Sequence, residues 1–427
     1  MKLIEKKYPY MKEAVYYAKL DNGLTVVLLP KMDFHETYGV ITTSFGALHT
    51  HLLLEDGREI AYPAGIAHFL EHKLFENEDE EDVMNEFAKF GASANAYTSF
   101  GQTSYLFSTT QEVLPALSLL QSFVRQPYFT DENVAREQGI IEQEIEMYQD
   151  DVDYRLFTGI LGSLYPQTPL AHDIAGTVES IGHITAEDLY DNFDLFYHPS
   201  NMTLFVIGHF DLDQVWQQIS SYQTAQLDER KSKFEVKPIE KLPILQHRME
   251  EFEVSTPKLA VGLRGNDVFE REEIQKYRLC LQLLFAMLFG WTSKRYQSLY
   301  EQGKIDSSFQ FQLEVTPDYH YLVISGDTQE PITLSSMLMK AVRNFERDED
   351  VNENHLHLLK NEMYGDFIRS LNSLEFTASH FVAQYSDVEN IFDLPQMIQE
   401  LQLDDIREAG RRFISNCDMT DFTIIPK

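Results

Sequence analysis

Cysteine is nearly absent from this chain. Cys280 and Cys417 are the only two in 427 residues, too few for a disulfide framework or a cysteine-based zinc site. Positive charge is scarce as well: 35 Lys and Arg stand against 68 Asp and Glu, a formal charge of −33. Nucleic-acid proteins carry a basic footprint for the phosphate backbone, so no nucleic-acid partner is expected. Long apolar runs are missing too. No stretch reaches the roughly 18 residues needed to span a bilayer, and Met1-Lys-Leu-Ile-Glu-Lys-Lys-Tyr8 lacks the apolar core of a secretory signal. The expectation is a protein of the reducing cytoplasm that does not enter a membrane. Neither a G-x-S-x-G nucleophile elbow nor a phosphate-cradling glycine loop occurs.

What is present is a folded, enzyme-like composition, 43% hydrophobic and 12% aromatic, on a chain long enough for two or more cores. Tyr16 to Leu20 and Leu24 to Pro30 flank Asp21-Asn22-Gly23, a hairpin signal. Val40 to Ala47 reads as a strand, 65–90 as helical, 93–110 as strand, and 112–124 and 131–147 as helices. The ending of the first half recurs in the second. Thr185-Ala-Glu-Asp188 and Leu403-Asp-Asp405 each open a helix, and each helix precedes a strand beginning Met-Thr, at Met202 and Met419. Asp188 to Met202 and Asp405 to Met419 share the same 14-residue spacing. The pattern predicts an α+β fold. Two homologous α/β-roll domains, mostly antiparallel sheet with helices on one face, occupy 1–225 and 246–427, joined by a linker at 226–245 that contains Lys, Glu and Pro.

The chemistry concentrates in His68-Phe-Leu-Glu71-His72. On a helix, side chains three and four residues apart share a face. His68 and His72 can therefore hold zinc together, with Glu71 close enough to take a proton from water. This is the inverted zincin order. The pentad is short enough to arise by chance, so its surroundings decide. A catalytic zinc takes three protein ligands, and the acidic helix 136–147 offers a third. Glu137 and Glu144 are seven residues apart, two turns, and project from one face. Glu142 and Glu146 lie on roughly the opposite face. Glu144 as ligand and Glu137 as supporting acid is the pairing favoured over an ordinary charged helix. The corresponding second-half helix, Leu281 to Gly290, has no histidine or acid and reads as a copy that kept the fold without the metal.

Several segments, in order, are similar to one family's signature. They are Gly65-Ile-Ala-His68-Phe-Leu-Glu71-His72-Lys-Leu-Phe75, Gly91-Ala-Ser-Ala-Asn95-Ala96-Tyr97-Thr98 with Thr103-Ser-Tyr105, the Glu137 to Glu144 helix, Gly176-Thr-Val-Glu-Ser180-Ile181 and Tyr197-His-Pro-Ser-Asn-Met202. They resemble the pitrilysin/insulinase/mitochondrial-processing-peptidase family across most of the first half, and more weakly in the second. The length resembles its half-length members, which pair two chains into one chamber.

The resemblance implies one zinc ion per chain on His68, His72 and Glu144, with Glu71 as general base and Glu137 in support. The gap of 71 residues between His72 and Glu144 is slightly shorter than the family pattern, which keeps the acidic neighbours of Glu144 in view. It also implies that Asn95, Ala96 and Tyr97 lie on an exposed edge strand onto which a peptide substrate adds as a further strand.

One departure stands out. Self-sufficient members carry an Arg and a Tyr in the second half, in a segment like R-E-x-x-G-L-a-Y. Here Tyr300 stands at the Arg position and Asp306 or Ser307 at the Tyr position, in Ser298-Leu-Tyr-Glu-Gln-Gly-Lys-Ile-Asp-Ser307. Neither replaces a guanidinium or a phenol. The expectation is a zinc endopeptidase subunit whose metal-free paralogue supplies that pair in a heterodimer, with a homodimer as the alternative arrangement. The alternative function is a non-catalytic zinc-binding or assembly subunit of the same fold. The acidic run 76–82 reads as a solvated helix start, lacking the calcium-loop pattern.

Overall fold

The computed structural model describes residues 2–78, 82–225, 234–384 and 390–427. They form two compact units that are discontinuous in sequence: residues 1–146, 173–237 and 370–385, and residues 147–172, 238–369 and 386–427.

Among the described residues the first unit holds ten strands: β1 (Ile4–Lys7), β2 (Ala14–Lys19), β3 (Thr25–Pro30), β4 (Thr37–Thr43), β5 (His51–Leu54), β6 (Glu59–Ala61), β7 (Ala92–Thr98), β8 (Thr103–Thr109), β9 (Met202–Gly208) and β10 (Phe234–Val236). Seven make one sheet in the order β1-β2-β3-β9-β4-β8-β7, and β10-β5-β6 make a small second one. The expected hairpin is β2–β3, closed by Leu20 N–H donating to the Leu24 carbonyl at 2.9 Å, with Gly23 at φ +93°. All pairings in the large sheet are antiparallel except β3 with β9.

The helical region expected over 65–90 is two helices, α1 (Ile66–Leu74) and α2 (Val83–Lys89). Residues 79–81 of the acidic run lie outside the described residues. Beyond them Asp82 caps α2 by accepting from Met84 N–H. Further on come α3 (Val113–Phe123) and α4 (Asp131–Asp150). α1 and α3 bury Phe69, Leu70, Leu117 and Leu120 against Phe107 and Leu204 of the sheet in one apolar core. Helix Leu374–Gln384 covers β4 and β9, with the Phe381 ring 4.7 Å from that of Phe205.

The second unit contains β11 (Arg248–Phe252), β12 (Lys258–Arg264), β13 (Gln310–Val315), β14 (His320–Asp327) and β15 (Asp418–Pro426), in the order β11-β15-β12-β14-β13. This order repeats β3-β9-β4-β8-β7, down to the one parallel pair, β11 with β15. The repeated sequence ending has a structural counterpart: Thr185 with Asp188, and Gln402 with Asp405, form capping boxes at the helices that feed β9 and β15. Helix α5 (Val152–Leu164) packs on β12 and β15, where Gly159 leaves room for the Phe422 ring. Each compact unit thus includes one helix drawn from the other half of the sequence, so the units do not follow the 1–225 and 246–427 division residue by residue. Of the expected linker 226–245, residues 226–233 lie outside the described residues, and β10 pairs with β5. Among the described residues no helix is long and apolar enough to cross a membrane.

Candidate metal centre

α1 begins at Gly65, whose φ of +90° is open to glycine and strained for other residues. An added Cβ there would sit 2.2 Å from the Ala175 carbonyl oxygen. Ser180 Oγ donates to the Ala64 carbonyl at 2.8 Å, and Gly176 is itself at φ +83°. The Gly176-to-Ser180 segment, singled out in the sequence without a role, therefore clamps the start of the helix that carries the histidines. Along α1, Ile66, Phe69, Leu70 and Leu74 face the core, leaving His68, Glu71 and His72 on the side toward α4.

Glu144 of α4 meets both imidazoles. Its Oε1 is 3.7 Å from His68 Nε2 and its Oε2 is 3.5 Å from His72 Nε2. Among the described residues these three form the cluster able to hold a metal ion, with ligand atoms all within 4.8 Å of one another. Tetrahedral zinc with bonds of about 2.0–2.1 Å separates its ligand atoms by about 3.4 Å, so the donor set fits with small adjustments. Three protein donors also leave the fourth position open. Burial, with His72 beside it, pushes His68 down to about 3, so its imidazole is neutral and ready to ligate near pH 7.

Glu137 lies one side chain further out. His72 Nδ1–H donates to Glu137 Oε1 at 3.0 Å, which fixes the ring so that Nε2 faces Glu144. Burial lowers the proton affinity of His72, but that bond and the charges of Glu71, Glu137 and Glu144 outweigh it, and its pKa is raised. His68 Nδ1, by contrast, is buried with no hydrogen-bond partner. Glu142 and Glu146 are exposed on the far side of α4.

Glu71 is 8% exposed and accepts a hydrogen bond from Thr98 Oγ1. Burial raises its pKa, and the Thr98 bond and His72 pull the other way. Nearby, the buried Tyr105 and Tyr197 hydroxyls bond to each other at 2.7 Å. Burial first, and then the neighbouring charges including Glu71, hold both phenols well above their ordinary range.

Asn95, Ala96 and Tyr97 lie on β7, the edge strand, which among the described residues pairs only with β8. Asn95 is exposed and its Oδ1 accepts from the Ala96 N–H at 2.9 Å; Ala96 packs on the core and Tyr97 Oη is buried without a hydrogen-bond partner. Thr98 ends the same strand, so one strand carries the substrate-facing candidates and the hydroxyl that holds Glu71.

The sequence reading missed Thr98, Lys73 and Glu76. Lys73 has no exposed side-chain area and ion-pairs with Glu76, which in turn pairs with Arg136. Only the presence of a lysine between apolar positions of α1 hinted at this. In the second unit, Tyr300 is 52% exposed, and Arg295 is tied to Asp348 with Nη1 at 3.0 Å.

The chain matches the family described as insulinase (peptidase family M16) over residues 58–178 and the peptidase M16 inactive domain over residues 183–363. It is 38% identical over 99% of both chains to a Bacillus subtilis (strain 168) protein called uncharacterized zinc protease YmfH. The crystal structure of a putative M16-like peptidase from Alicyclobacillus acidocaldarius superposes with a TM-score of 0.92 at 31% identity, covering 98% of this chain and 99% of that one. Similarity to the mitochondrial-processing peptidase subunit beta of Saccharomyces cerevisiae is 28% identity over 48% of this chain and 43% of that one. The chain belongs to the pitrilysin/insulinase peptidase family, as a half-length member with that family's mixed α/β fold.

Proposed function

We propose that the protein is a zinc endopeptidase that cleaves peptides or small unfolded proteins, with one zinc ion per chain held by His68, His72 and Glu144. The carrying observation is the division of labour on α1. Both Nε2 atoms converge on Glu144, whereas Glu71 stays outside that set, buried and held by Thr98. Zinc in this position would polarise a water molecule and the scissile carbonyl. Glu71 takes the proton from the water on its carboxylate and hands it to the departing amine. Its raised proton affinity suits both transfers. Glu137 keeps His72 in the ligating tautomer.

A substrate would pair with the free edge of β7, reading extended backbone more than side chains. The Asn95 side chain already occupies the Ala96 N–H in the way an incoming carbonyl would.

The second half carries no Arg/Tyr pair in the expected segment, and Arg295 is engaged with Asp348. This supports a catalytic subunit that works in a heterodimer with a metal-free paralogue, a homodimer being the alternative. A relative named as a subunit of mitochondrial-processing peptidase is in keeping with that arrangement.

The test is zinc content together with cleavage of an unfolded peptide by wild type and Glu71→Gln, each alone and with the paralogue. Both proteins should bind zinc, and cleavage should fall by about 10²–10⁴-fold in the variant. Zinc without Glu71-dependent cleavage, even with the partner present, would instead establish a non-catalytic assembly subunit. Full-rate cleavage by the chain alone would dispose of the partner.

A further inference from the structure

Lys73 is the one lysine in the described residues with no exposed side-chain area that lies beside the metal cluster. It follows His72 directly in α1. Its Nζ ion-pairs with Glu76 Oε2, and Glu76 Oε1 is held in turn by Arg136 of α4. The same Nζ lies 3.8 Å from Glu137 Oε2, beyond hydrogen-bonding distance, while Glu137 Oε1 accepts from His72 Nδ1 at 3.0 Å. A chain of alternating charge thus runs Arg136, Glu76, Lys73, Glu137, His72.

We propose that Lys73 is a positioning residue for the metal centre, acting on zinc affinity through Glu137. The inference rests on His68, His72 and Glu144 being a zinc centre. An isolated buried ammonium is costly, and an apolar side chain would pack that position at less cost. The division of contacts gives the lysine a use. Glu76 takes the direct ion pair, so the ammonium attracts Glu137 Oε2 without capturing it. Oε1 therefore stays on His72. Without the cation, Glu137 has an uncompensated oxygen in a site where it is 12% exposed, and it turns from His72 toward water. Without Glu76, the ammonium is free to bond Glu137 outright and draws the carboxylate off the imidazole. Either change loosens the ring whose Nε2 faces Glu144.

The experiment titrates zinc into metal-stripped full-length protein against a chromophoric chelator, with thermal unfolding of each apoprotein alongside. Lys73→Met keeps the length of the side chain and removes the charge, and should bind zinc about tenfold more weakly, at the low end of what losing an outer-shell partner costs a metal site. Lys73→Arg should recover most of the affinity. In a Glu137→Gln background, Lys73→Met should produce little further loss, because its effect passes through that carboxylate. Glu76→Gln, at a less buried position, should also weaken zinc and carries the test should Lys73→Met not fold.

Unchanged zinc affinity in Lys73→Met or Glu76→Gln, with only the unfolding temperature lowered, would reduce the lysine to a structural staple. Fully multiplicative losses in the double variant would equally overturn a route through Glu137. A wild type that binds no zinc defeats the parent reading, and that outcome is visible before any variant is measured.

Discussion

His72 Nδ1 and Glu137 Oε1 are 3.0 Å apart, and that single bond decides which imidazole nitrogen faces Glu144. A carboxylate only accepts, so Nδ1 keeps its proton, and in the neutral ring Nε2 holds the free lone pair. Glu137→Gln keeps the shape but presents a weaker acceptor; Glu137→Ala removes it. Zinc affinity should fall by about 10–100-fold in the alanine variant and by less in the glutamine variant. Competition titration against a chelator measures both, and an alanine variant with wild-type affinity would remove Glu137 from the centre.

Thr98 stands in the same relation to Glu71. Thr98→Val preserves volume and removes the hydroxyl, leaving one oxygen of a buried carboxylate without its donor. A hydrogen bond to a charged group contributes about 1.5–3 kcal/mol, so kcat should drop by about 10–100-fold, with zinc affinity and KM close to wild type. The bond lowers the pKa of Glu71 against the effect of burial. Its loss should therefore move the acid limb of the kcat/KM profile to higher pH. Thr98→Ser should restore both properties. A valine variant with an unshifted limb would mean that Thr98 does not bear on the base.

The two histidines should respond differently to acid. His68 is pushed down to about 3, whereas His72 is raised above its ordinary value of 6.5. Zinc has to displace a proton from His72 at any pH below that raised pKa and displaces none from His68 until far more acid conditions. From that raised pKa down to the range where carboxylates titrate, the logarithm of the apparent zinc affinity should fall by about one per pH unit. A slope near two would show that both rings compete with protons in the metal-free state.

Much of this was readable from spacing alone. The i, i+3 and i, i+4 relations put His68, Glu71 and His72 together, and the seven-residue interval put Glu137 and Glu144 on one face, because helical periodicity is local. The repeat was readable because Asp188 and Asp405 open helices at the same distance from Met202 and Met419, where β9 and β15 begin or run. What escaped depends on long-range pairing. Thr98 reaches Glu71 because β7 lies against α1, and the buried Lys73 meets Glu76, which Arg136 of α4 holds, and approaches Glu137. The compact units escaped for the same reason: nothing in the composition of Val152–Leu164 or Leu374–Gln384 announces which sheet each helix covers.

Gly65 offers a test of how firmly the metal helix is seated. Two costs meet there: a left-handed backbone and a Cβ that would lie 2.2 Å from the Ala175 oxygen. Gly57 separates them, being at φ +82° with nothing near its would-be Cβ. Gly57→Ala should cost about 1 kcal/mol, the backbone penalty alone. Gly65→Ala should cost about 3 kcal/mol or more, because backbone atoms of the 175–176 segment have to move. Urea unfolding of the two variants measures the difference. Moving that segment also disturbs the Ser180 bond that fixes the first turn of α1. Gly65→Ala should therefore weaken zinc binding, and Gly57→Ala should leave it alone. Equal destabilisation of the two, with zinc affinity intact in both, would mean that the clamp at 176–180 does not hold the histidines in place.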